Sequence, residues 1–149
     1  MLPLLDNAGP EDTQNDAPEQ EQDYSDTVNL QQLIAALDGV DNAPQDFELE
    51  EWKELYGTFH VSTILGDDNL YIWRTLKRQE YKQLINSGIA KNQIMYEEAV
   101  IIRCCLWPKY TKEKISNTEA GVVETLAKQI LFQSGFVPDQ MALSMIKTV

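Results

Sequence analysis

The first 52 residues of this chain hold fourteen carboxylates and no lysine or arginine. Like charges at that density repel one another, and a polar segment has too little apolar surface to offset the entropy of ordering. Residues 1–26, rich in Asp, Glu, Gln, Asn and Pro, are therefore predicted to be a flexible, disordered acidic arm. The other residues carry ten acids and all twelve basic residues, a balance of +2. The chain thus reads as an arm joined to a nearly neutral body. Three regions are expected: the arm at 1–26, a short amphipathic helix and linker at 27–46, and a compact helical domain with one β-hairpin at 47–149. The fold class is α+β, predominantly α.

Hydrophobic content is 43%, enough for an ordinary core. No apolar run approaches the ~18–20 residues of a membrane span, and no basic region precedes an apolar one near the start. A soluble, intracellular protein is expected. Cys104 and Cys105 are adjacent, a spacing whose disulfide would strain the peptide geometry. They read as free, small packing residues in a reducing compartment.

Leu30, Leu33, Ile34 and Leu37 recur at helical spacing between Asp26, a cap, and Gly39, a stop. A helix this short is marginal alone, so the stripe must dock on its own body or on a partner. Asp46 is predicted to cap a helix over 47–56, stopped by Gly57, with Leu49, Trp52, Leu55 and Tyr56 as its apolar stripe. The β-branched and aromatic segments 58–65 and 70–75 predict a hairpin around a four-residue turn at 66–69. Thr75 is expected to cap the next helix, which Gly88 stops. Asn92 opens a longer one to Leu106, apolar around much of its surface, with Ile102 expected in the core. Ser116 and Glu119 have capping-box spacing ahead of a helix ending at Gly135. Pro138 begins a last helix carrying Met141, Leu143, Met145 and Ile146.

Catalytic and metal chemistry finds little to build on. His60 is the only histidine, sits mid-strand, and has no nucleophile motif around it. Asp67, Asp68 and Asn69 resemble a calcium loop in composition but lack its order of ligands. No catalytic residue, metal ligand or cofactor is assigned, and the chain is expected not to be an enzyme. Arg74, Lys77, Arg78 and Lys82 cluster beside Trp73 and Tyr81. Such a cluster could hold a nucleic-acid strand, but the acidic arm opposes a polyanion. It reads instead as a dock for the arm or for an acidic partner. Candidate partner-binding residues are Leu30, Leu33, Ile34, Leu37, Trp73, Arg74, Lys77 and Arg78, with the main contact on the leucine stripe.

One longer pattern resembles a known group. It comprises Leu70-Tyr71-Ile72-Trp73-Arg74-Thr75 running into Leu76-Lys77-Arg78-Gln79-Glu80-Tyr81-Lys82-Gln83-Leu84, and Cys104-Cys105-Leu106-Trp107-Pro108. Ala120-Gly121-Val122-Val123-Glu124-Thr125-Leu126 and Ile130-Leu131-Phe132-Gln133-Ser134-Gly135-Phe136 continue it. These segments resemble small tail-module proteins of large contractile-tailed bacteriophages, described as tail assembly chaperones or baseplate hub assembly proteins. The resemblance spans roughly 47–136 and leaves out the arm. It implies a non-enzymatic structural or assembly role. The partners it implies are other tail or baseplate proteins with a basic surface, with no membrane involved. The location it implies is the host cytoplasm during assembly, and it leaves open whether the protein departs after assembly or stays in the virion tail. The rival reading is an acidic regulatory or inhibitory protein that mimics nucleic acid against a host DNA-binding protein.

Overall fold

A computed structural model describes residues 27–149, and the predicted disorder of the arm lies outside the described residues. The chain divides into two units, Met1–Asn42 and Ala43–Val149. In the first, helix α1 (Leu30–Ala36) is shorter than expected and is capped by Asn29. Asn29 Oδ1 accepts from the Gln32 N–H and Gln32 Oε1 accepts from the Asn29 N–H, both at 2.8 Å, a reciprocal pair that satisfies two donors at the helix start. The expected Asp26 cap falls outside the described residues.

The second unit contains α2 (Asp46–Tyr56), β1 (His60–Ile64), β2 (Asp67–Trp73), α3 (Arg78–Asn86) and a 3-10 turn at Ile89–Lys91. There follow α4 (Gln93–Cys104), β3 (Cys105–Trp107), α5 (Lys112–Ser116), α6 (Ala120–Gln133) and α7 (Asp139–Ser144). The fold is α+β and mainly helical, with a small antiparallel sheet in the order β1-β2-β3.

The hairpin is tighter than the sequence suggested. Leu65 and Gly66 form the turn, and Asp67, Asp68 and Asn69 belong to β2. Gly66, at φ 85°, supplies the left-handed residue such a turn needs, while Leu65 is an apolar side chain left fully in solvent. The register slips between Ser62 and Ile64, a bulge that absorbs the shortened turn.

The third strand was not expected. The helix read as running to Leu106 stops at Cys104, and Cys105–Trp107 pairs with β2. Trp107 precedes Pro108, which disfavours helical backbone at the residue before it and favours extended chain. Arg74 N–H donates to Cys104 O at 2.9 Å where helix becomes strand. As the middle strand, β2 is buried on both faces, Tyr71 and Trp73 on one and Ile72 on the other.

Two further boundaries move for local reasons. Ser116 does not cap α6, because its Oγ donates back to Lys112 O at 3.0 Å and Thr118 Oγ1 donates to Lys114 O at 2.7 Å. These hydroxyls close α5, which Thr111 opens, and α6 starts after Glu119. Thr75 does not cap α3 either. The chain stays extended through Leu76, which is buried, and the helix opens at Arg78.

The core lies where α4 packs on α6, with β2 and α3 contributing. Val100, Ile101 and Cys104 face Leu126, Ala127 and Ile130, all essentially without exposure. Ile102, expected in the core, is only half-buried, one step around the helix from Ile101. Ile101→Ala is therefore expected to lower the unfolding free energy by about 2–5 kcal/mol, and Ile102→Ala by clearly less, as read by urea denaturation of both variants.

Candidate docking surface

The corner between β2 and α3 is held by Arg74 and Glu80. Arg74 Nη1 donates to Glu80 Oε1 at 2.9 Å and Nη2 to Oε2 at 2.8 Å, a bidentate pair. Nη1 also donates to Thr75 O at 3.2 Å and Nη2 to Arg103 O at 2.9 Å. The guanidinium lies 5.3 Å from the Tyr56 ring centroid. Glu80 Oε1 accepts in addition from the Lys77 N–H at 3.0 Å, satisfying a donor at the start of α3. Both side chains are largely covered, at 16% and 20% exposure. The hydrogen bond from Arg74 holds the Glu80 carboxyl below the usual carboxylate range, against the upward push of its partial burial.

At the far end of α6 the chain closes in a Schellman turn. Phe136 N–H donates to Leu131 O and Gly135 N–H to Phe132 O, both at 3.0 Å. Gly135, at φ 104°, takes the left-handed position as the sequence indicated. Ser134 Oγ accepts from the Leu76 N–H at 2.9 Å and donates to Ile130 O at 2.6 Å, locking this turn to the segment before α3. Phe136 then packs on Tyr81, with centroids 4.9 Å apart. Between the two chain segments lies a groove of about 220 Å³ lined by Leu76, Lys77, Arg78, Tyr81, Ser134, Gly135 and Phe136. Arg78 lies 5.4 Å from the Tyr81 ring.

The residues singled out from sequence separate into three sets. Lys77 and Arg78 are exposed at the groove. Arg74 is engaged with Glu80, and Trp73 is in the core. Trp73 stacks on His60 at 4.8 Å, and its Nε1 donates to Ser62 Oγ at 2.9 Å; Ser62 Oγ donates to Gln129 Oε1 at 2.6 Å. In the first unit, Leu33 and Leu37 are buried and Leu30 and Ile34 half-buried. Ser134, Gly135 and Phe136 were read from sequence as a helix end and as part of the resemblance, not as part of a binding surface. Their place beside Lys77 follows from the hydrogen bond between Leu76 and Ser134, which no local pattern announces.

The reactive side chains are placed as packing residues. Burial lowers the His60 pKa and pushes both thiols up to about 12. Cys105 Sγ donates to Pro108 O at 3.3 Å. Among the described residues no cluster of three or more His, Cys, Asp or Glu side chains could hold a metal ion, and no helix is long and apolar enough to cross a membrane. Comparison with protein-family models, curated proteins and solved structures gave no match to this chain.

Two outcomes follow. Glu80 has a depressed folded-state pKa, so its stabilisation is full above the unfolded-state pKa and is lost as pH falls through the folded-state value. Glu80→Gln is expected to cost about 1–3 kcal/mol at neutral pH, with a shallower loss of melting temperature on acidification than wild type. Both thiols are expected to resist a disulfide reagent in the native protein and to react rapidly once denaturant exposes them, read as released chromophore against time.

Proposed function

We propose that this chain is a non-enzymatic binding protein acting in assembly or structure of a phage tail or baseplate. The observation that carries a binding role is the apolar surface left in solvent. Phe47 and Leu55 on α2, and Leu143, Met145 and Ile146 at the C-terminal helix, are each more than half exposed. Apolar side chains left open close together along one short segment, as at Leu143, Met145 and Ile146, are the kind of surface that a protein partner covers. The resemblance of 47–136 to phage tail-module proteins supports placing those partners in the tail or baseplate. On this reading the protein acts in the host cytoplasm during assembly, and its presence in the particle separates a structural role from a purely assembly one.

The density of carboxylates in residues 1–52 favours the second reading, a nucleic-acid mimic directed at a DNA-binding protein. The two diverge in purified particles. An assembly protein is expected to co-purify with tail subunits, and a structural one to be detected in intact particles by mass spectrometry. Recovery solely with a nucleic-acid-binding protein, competed away by DNA, would favour the mimic.

A further inference from the structure

The groove at α3 and the end of α6 differs in chemistry from the open apolar surfaces elsewhere. At about 220 Å³ it falls below the roughly 300–1,000 Å³ of small-molecule sites and suits a single anchoring side chain. Its lining is mixed: Tyr81 and Phe136 supply aromatic surface over the buried Leu76, Ser134 and Gly135 supply polar and backbone atoms, and its charged members are the exposed Lys77 and Arg78. Glu80, on the same helix, is held by Arg74 and the Lys77 N–H, which leaves the cationic rim its own charge. The complementary ligand is an aromatic side chain flanked by carboxylates.

The chain carries that chemistry itself. In Glu21-Gln22-Asp23-Tyr24-Ser25-Asp26, Tyr24 is the sole aromatic residue among the first 46, with acids on both sides. The geometry points to an interface between copies of this chain, in which the segment around Tyr24 of a second copy docks in the groove. The pairing this interface calls for sets an aromatic anchor, Tyr24, against the aromatic surface of Tyr81 and Phe136, and the acids Asp23 and Asp26 against the cations Lys77 and Arg78. This rests on the reading of the chain as a binding protein and adds the partner. Donor segment and acceptor groove are different surfaces, so the contact is heterologous. It propagates head to tail into rings or open chains rather than ending at a symmetric pair.

The test uses two full-length variants, Tyr24→Ala, which removes the anchor, and Lys77→Gln with Arg78→Gln, which removes the rim charge. In sedimentation velocity at low salt, wild type is expected to gain mass with concentration and to lose it as salt screens the rim. Each variant alone is expected to associate at least roughly tenfold more weakly. Mixed in equal amounts they are expected to recover association that stops at a one-to-one pair, because one variant keeps the groove and the other the segment. Should the rim variant melt early, a synthetic peptide of residues 19–28 added to wild type decides the same question: it lowers the mass, and its Tyr24→Ala form does not. A wild type monomeric at every concentration, variants that associate like wild type, or a mixture no better than its components overturns the inference. None of those results alters whether the chain is found in particles, so the two readings fail separately.

Discussion

The second unit turns on one ion pair. Arg74 directly follows the central strand and Glu80 sits in the first turn of the helix that comes next, so their bidentate contact spans the corner where strand gives way to helix. The same guanidinium reaches Arg103 O near the end of α4 and lies over Tyr56 of α2. A lysine has the charge but not the planar fork that serves two carboxylate oxygens and two carbonyls together. Most of this pair is out of water, where losing one partner leaves the other charge poorly compensated. The Arg74 Nε–H is already buried without a hydrogen-bond partner, a standing cost that the remaining contacts outweigh.

The placement of the groove depends on that corner. Lys77 and Arg78 fall in the short run between the two members of the pair, so the turn that Glu80 closes also sets where the rim lies. Leu76, just before them, is anchored on both sides of its backbone and side chain: its amide to Ser134, its side chain in the core. A chain of side-chain hydrogen bonds from Trp73 through Ser62 to Gln129 also links β2, β1 and α6. The small side chains of Cys104 and Cys105 let α4 turn into β3 against this packed layer without displacing it.

The parts of this arrangement that depend on local chemistry were legible from the sequence. Asn92 caps α4, Gly57 and Gly88 follow helices in left-handed conformations, and Gly135 closes α6, each because a particular residue satisfies a particular backbone need. The hairpin was visible in its β-branched and aromatic runs, but its turn was misplaced because Leu65 looks like a strand residue and Asp67-Asp68-Asn69 looks like a turn. Strand β3 was hidden for a different reason. Three residues carry no periodicity, and their extended form is stabilised by pairing with β2, more than thirty positions away. The rim of the groove was visible as a basic cluster, whereas its aromatic wall was not, because Phe136 meets Tyr81 only once the tertiary bond from Leu76 to Ser134 is made.

The Schellman turn at Gly135 has a consequence for recognition. Phe136 is positioned by two main-chain hydrogen bonds and a left-handed glycine, a geometry complete within its own six residues. The backbone that carries its ring is thus set by the fold, and the ring itself packs on Tyr81. The backbone share of the conformational entropy that a flexible loop surrenders on association has here been surrendered already during folding. A preorganised wall of this kind lets a small contact reach useful affinity, because less of the interaction is consumed in ordering the receptor.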